Sequence, residues 1–130
     1  MTIDLKSPAE IDAMREAGRV VARCLEAVRR ASAPGVTLEE LDTAAHDVMR
    51  EHGATPAFLD YHPHFAPSPY PGVICSSVND AVVHAIPGGY RLADGDLQGD
   101  ARDGLDRVDL ALEHRPGRNR ILAHHVSDLE

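Results

Sequence analysis

Residues 58–97, FLDYHPHFAPSPYPGVICSSVNDAVVHAIPGGYRLADGDL, change character three times within forty positions. Between Pro56 and Pro71 proline is too dense for a helix interior or a central strand, because each proline removes a backbone donor and fixes φ. The stretch is therefore a long turn-rich loop, and its aromatics Phe58, Tyr61, Phe65 and Tyr70 suggest that it lines or covers something. Val73 to Ser77 and Ala81 to Ile86 are β-rich and are separated by Val78-Asn79-Asp80, which predicts a hairpin. Alternation then places Val82, His84 and Ile86 on one face, with Ala81, Val83 and Ala85 on the other. Pro87-Gly88-Gly89 closes that element, and Leu92 to Leu97 reads as a turn leading into a new strand.

Upstream, the pattern is helical. Ser7-Pro8-Ala9-Glu10 has the form of a capping box with proline at the first helical position. Ile11, Met14, Gly18, Val21, Leu25 and Val28 then recur at three- and four-residue spacing, and Ala33-Pro34-Gly35 stops the run. Thr37-Leu38-Glu39-Glu40 repeats the capping chemistry. Leu41, Ala44, Ala45, Val48 and Met49 supply a second apolar face, and Gly53 sits at a C′ position. Two such helices joined by a short turn must pack on each other or on a sheet.

Downstream, the pattern dissolves. Residues 98–130 contain five Asp, five Arg and three His but no Phe, Tyr or Trp. Leu105, Val108 and Leu112 fit a short helical stripe, and the remainder reads as loop. The expected organisation is one unit over residues 1–97 and a divergent tail over 98–130, of the kind a frameshift or a disordered extension produces.

The chain has 130 residues, 43% of them hydrophobic, with 13 Lys and Arg against 21 Asp and Glu and a formal charge of −8. An acidic surface repels phosphate backbones and anionic lipid, so neither nucleic acid nor membrane is expected as a partner. The apolar runs fall far short of a bilayer span, and the N-terminus MTIDLKSPAE lacks the apolar region of a signal peptide. Two cysteines, Cys24 and Cys75, form no disulfide framework and suit a reducing compartment. The expected location is the cytoplasm.

Four groups of side chains could carry chemistry. His84, set among apolar neighbours, reads either as a buried histidine with one satisfied hydrogen bond or as a histidine at a cleft mouth that meets a substrate carbonyl or leaving nitrogen. His62-Pro63-His64 offers two imidazoles, but nothing adjacent completes a coordination shell. Asp103, Asp106 and Asp109, followed by His114, His124 and His125, have suitable ligand types, though like charges at this spacing also describe a solvated face. Cys75 reads as a small buried hydrophobe, with no histidine adjacent in sequence to act as its base.

Taken in order, several segments resemble type I methionine aminopeptidases. These are Glu10-Ile11-x-x-Met14-Arg15-x-Ala17-Gly18, the helix TLEELDTAAHDVMREHGA, Phe58-Leu59, Tyr70-Pro71, Ile74-Cys75-Ser76-Ser77-Val78-Asn79, Val83-His84-x-Ile86-Pro87 and Leu92-x-Asp94-Gly95-Asp96. The resemblance runs from about residue 7 to residue 97 and implies an α/β (α+β) architecture, the N-terminal half of a pita-bread fold with two helices packed on antiparallel strands. It further implies metal-dependent removal of N-terminal methionine from new proteins, with two divalent ions in the site activating a water. By the same resemblance His84 is the catalytic histidine that contacts substrate near the scissile bond, and Phe58, Tyr61, Tyr70 and Cys75 join it in binding the methionyl peptide.

The family's metal ligands, two Asp, one His and two Glu, lie beyond the Asp-Gly-Asp turn. The first should end a strand that here reads Gly95-Asp96-Leu97-Gln98-Gly99-Asp100-Ala101, so the ligand position falls on Ala101, whose side chain has no donor atom. Asp100 is one residue early, and a one-residue slip along a strand points a side chain to the opposite face. Nothing later resembles the other ligands. The expectation is a truncated relative that binds no metal and is inactive alone. The alternative is a non-catalytic half-domain that binds a peptide or partner, or a remnant without function.

Overall fold

The computed structural model describes residues 5–81 and 84–96, together with the backbone of 108–110. Helix α1 spans Pro8–Ala31 and helix α2 spans Leu38–Glu51. Both begin as their sequences predict. The Ser7 hydroxyl accepts from the Glu10 amide while the Glu10 carboxylate accepts from the Ser7 amide, and Thr37 and Glu40 make the same reciprocal pair. Each box satisfies two of the amides that the first turn leaves without helical partners. Gly53, just past the end of α2, has φ +61°, the left-handed conformation that favours glycine at a helix end.

The helices pack against each other through Cys24 and Val28 of α1 and through Leu41, Ala45 and Met49 of α2, all buried. Val73, Ile74, Val78 and Leu92 complete the core. Helix α1 has 24 residues and α2 has 14, so their lengths at the helical rise are about 36 Å and about 21 Å. The shorter helix covers only part of the longer one. The apolar stripe of α1 is accordingly buried at its C-terminal end, while Ile11 and Met14 stay 39% and 41% exposed.

Among the described residues the predicted hairpin shows no ladder. Strand β1 is short, Ile74–Ser76, and its strand partner is β2, Val108–Leu110, with Cys75 opposite Asp109 in an antiparallel pair. The segment expected to be the second hairpin strand does return toward β1, but it meets it at one backbone bond, from the Ser76 amide to the Ala85 carbonyl at 2.9 Å. Two left-handed residues interrupt the extended run, Asn79 at φ +56° and His84 at φ +53°, and the Ala85 amide turns to the Ser77 hydroxyl rather than to a strand carbonyl. His84 therefore lies outside any strand, contrary to the sequence reading. The expected helical stripe through Leu105, Val108 and Leu112 is also corrected at Val108, which is extended and paired to Ser76. Leu105 and Leu112 lie outside the described residues, as do Val82, Val83 and the strand expected after Asp96.

Residues 88–92 run along the start of α2. The Leu38 and Glu39 amides donate to the carbonyls of Tyr90 (3.1 Å) and Gly88 (3.2 Å), and Leu92 and Val36 bond at 2.9 Å. Among the described residues no helix is long and apolar enough to cross a membrane.

Truncating Leu41 to alanine should cost about 2–5 kcal/mol in urea denaturation, as expected for a fully buried leucine, whereas Met14→Ala should cost less than about 0.5 kcal/mol. Equal losses would show that the outer end of α1 is packed after all.

Candidate active site

The proline-rich loop is closed at its base by backbone. The Asp60 amide donates to the Tyr70 carbonyl and the Tyr70 amide donates to the Tyr61 carbonyl, both at 2.9 Å. Asp60, at φ +62°, makes the bend that allows the pairing, and the Tyr61 amide reaches back to the Phe58 carbonyl at 2.9 Å. Closure brings Phe58 and Tyr70 into edge-on contact, with ring centroids 6.1 Å apart and planes at 68°.

Tyr70 is the hub of this region. Three acceptors lie within reach of its hydroxyl: the Ile74 carbonyl at 3.0 Å, the Ala85 carbonyl at 3.2 Å and the Cys75 sulfur at 3.3 Å. A phenol has one proton, so these are alternatives around a single hydrogen. Together they tie the loop to β1 and to the segment after His84. Ala85 is held in turn through its amide on Ser77 Oγ at 3.3 Å and through its carbonyl on the Ser76 amide. His84 thus stands, exposed and left-handed, one residue before a peptide anchored at both ends.

Of the five residues that sequence resemblance selects, Tyr70 touches both Phe58 and Cys75, and His84 immediately precedes Ala85, whose carbonyl lies within reach of the Tyr70 hydroxyl. Tyr61 belongs through its backbone; its ring is 58% exposed. Of the loop imidazoles, His62 Nε2 is 3.1 Å from the Ala66 carbonyl oxygen, and His64 packs edge-on against Phe65.

Asp42 went unnoticed in the sequence. Its Oδ1 accepts from the amides of both Val73 (2.7 Å) and Ile74 (2.9 Å), joining α2 to β1. The signal was available: position 42 lies on the same helical stripe as Leu38, Leu41, Ala45 and Met49, and a carboxylate there needs a partner. A second omission is the Asp96 cluster. Asp96 accepts from Asn79 Nδ2 at 2.9 Å, and from the Ala93 amide and the Tyr90 hydroxyl at 2.8 Å each. These bonds, that from Asn79 foremost, hold its carboxyl below the usual range, and the same carboxylate raises the Tyr90 phenol.

Among the described residues no three His, Cys, Asp or Glu side chains converge as metal ligands would, so these residues do not fit a dinuclear metal site. Ala101 and the tail's candidate ligands lie outside the described residues, apart from the backbone of Asp109. Burial pushes the Cys24 thiol up to about 11, so this thiol is no nucleophile. The local arrangement gathers an aromatic edge, a phenol and a polarizable sulfur, with an exposed histidine nearby along the chain.

Residues 12–98 match the model of metallopeptidase family M24. The chain belongs to that family. Methionine aminopeptidase 1 of Mycobacterium tuberculosis is 52% identical over 93 residues, which are 71% of this chain and 33% of the relative. The methionine aminopeptidase of Clostridium perfringens is 40% identical over 95 residues, 73% of this chain and 36% of its own. The chain thus spans about a third of the length of the curated relatives it matches. Among solved structures, the methionine aminopeptidase of Thermotoga maritima superposes with a TM-score of 0.72 at 30% identity, over 85% of this chain and 39% of that one. A streptococcal methionine aminopeptidase gives 0.72 at 33% identity, over 85% and 36%. The fold is accordingly a partial α/β domain of the pita-bread type, and the family implies divalent-metal chemistry.

Because the Asp96 carboxyl is depressed in the folded state, its contribution to stability is present above its ordinary value of 3.8 and is lost as pH falls from there through the folded value. Below pH 4 the denaturation midpoint of the wild type should therefore fall more steeply than that of Asp96→Asn. Parallel curves would show that the cluster adds nothing.

Proposed function

We propose that residues 1–97 form the part of a methionine aminopeptidase that receives the methionyl end of a peptide, and that residues 98–130 are a tail divergent in sequence, which meets that part where Val108–Leu110 pairs with β1. The carrying observation is the contact set Phe58, Tyr70 and Cys75 next to His84, within a segment 52% identical to a methionine aminopeptidase. In this reading Phe58, Tyr70 and Cys75 hold the methionine side chain, because a thioether packs well against ring edges and sulfur. Tyr61 closes the outer side of the pocket. His84 hydrogen-bonds the peptide beside the bond that the family cleaves, which makes it the catalytic residue this segment supplies. A cytoplasmic location suits a substrate class of newly made proteins.

The chain by itself binds such peptides without hydrolysing them. One feature supports this: alanine, which has no donor atom, occupies position 101, where the resemblance places the first carboxylate ligand. No hydrolytic step is assigned to these residues.

The peptide Met-Ala-Ser should shift the NMR signals of Phe58, Tyr70 and His84, and Ala-Ala-Ser should not. With added divalent metal, no methionine should be released. Chelator-sensitive release that disappears in His84→Ala would overturn the non-catalytic reading, and identical responses to the two peptides would overturn the binding one.

A further inference from the structure

We infer that Asp42 is a positioning residue for the methionine-binding wall, acting from the helix through the backbone of β1. The inference rests on the binding role proposed above for Tyr70 and Cys75. Asp42 Oδ1 accepts two short hydrogen bonds, from the amides of Val73 at 2.7 Å and Ile74 at 2.9 Å. Bonds from amides to a carboxylate are charge-assisted and stronger than amide–carbonyl bonds. Residue 74 is gripped on its other side as well, since its carbonyl lies 3.0 Å from the Tyr70 hydroxyl. Cys75 is the next residue. The position of the sulfur and the anchor of the phenol are both set at residue 74, and the helix holds residue 74 through one oxygen.

The neighbourhood is built around that oxygen. A Cβ on Gly72 would lie 2.9 Å from Asp42 Oδ1 and 2.7 Å from Pro87 Cγ, closer than real Cβ contacts allow. Glycine at 72 is what lets the carboxylate reach the strand while Pro87, three residues after His84, packs beside it. Gly72 thus lies between the carboxylate that holds the strand carrying Cys75 and the proline of the segment that follows His84.

The test compares the wild type with Asp42→Ala and Asp42→Asn by iodoacetamide labelling of the two cysteines, read by mass spectrometry. Cys24 is also buried but packs between the helices, so it reports general loosening. In Asp42→Ala, Cys75 should label at least about tenfold faster with Cys24 unchanged, since both charge-assisted bonds are lost and one alone is worth about that ratio. Asp42→Asn, which keeps an acceptor oxygen but not the charge, should give a smaller rise at Cys75 alone. If both cysteines accelerate together, or neither changes, Asp42 has no selective hold on the wall and the inference fails. Should Asp42→Ala not fold, the asparagine variant decides by the same criterion. A separate arm adds saturating Met-Ala-Ser to the wild type: slower Cys75 labelling is expected, and its absence would overturn the binding reading while the Asp42 comparison still stands or falls alone.

Discussion

The Asp42 carboxylate bonds at once to the amides of Val73 and Ile74, and the rest of the described structure is arranged so that it can. A short strand such as Ile74–Ser76 has too few ladder bonds to fix its own place, and apolar packing, being non-directional, leaves its position along the helix open. A charged acceptor receiving two adjacent amides supplies the missing direction. It holds β1 at one height along α2, and the buried side chains of Leu41, Ala45, Val73 and Ile74 then close around a seam already in register. Gly72 and Pro87 shape the space that this requires.

From that seam the site follows in few steps. The Tyr70 phenol meets the Ile74 carbonyl, Cys75 sulfur and Ala85 carbonyl, so one side chain joins the proline-rich loop, the strand and the segment after His84. The start of α2 is meanwhile occupied by the carbonyls of Gly88 and Tyr90, which take amides that a helix cannot satisfy internally. The chain between Gly72 and Leu92 is therefore tied to α2 at both ends, near the helix start and at Asp42. That double attachment supports a left-handed His84 in the middle, a conformation that non-glycine residues rarely adopt without surrounding constraint.

The helices were the most legible part of the sequence because their signals are local. A capping box needs four residues and an apolar stripe needs one period, and both appear where Ser7-Pro8-Ala9-Glu10 and Thr37-Leu38-Glu39-Glu40 announce them. The hairpin misled for the opposite reason. Val73 to Ile86 has strand composition, yet β composition records how well a side chain suits a pleated surface and does not name its partner. The partner of Ile74–Ser76 is Val108–Leu110, more than thirty residues on, and no local pattern points to it. The loop aromatics were recognisable as a group through family resemblance, but only loop closure separates Phe58 and Tyr70, which touch, from Tyr61, whose ring is exposed.

By itself, the sequence determined both helices, the turn-rich loop and the family. It also determined that position 101 is an alanine without a donor atom. Tertiary structure alone decided that α2 leaves the outer end of α1 uncovered, that β1 pairs with a distant segment, and that His84 leaves the extended conformation. It also decided that a helix carboxylate, hidden within an apolar stripe, holds the strand beside the site. The division has a physical basis: capping, periodicity and turn chemistry act over a few residues and are written in composition and spacing. Strand pairing, relative helix coverage and a bond between Asp42 and residues 73 and 74 depend on which distant segments meet.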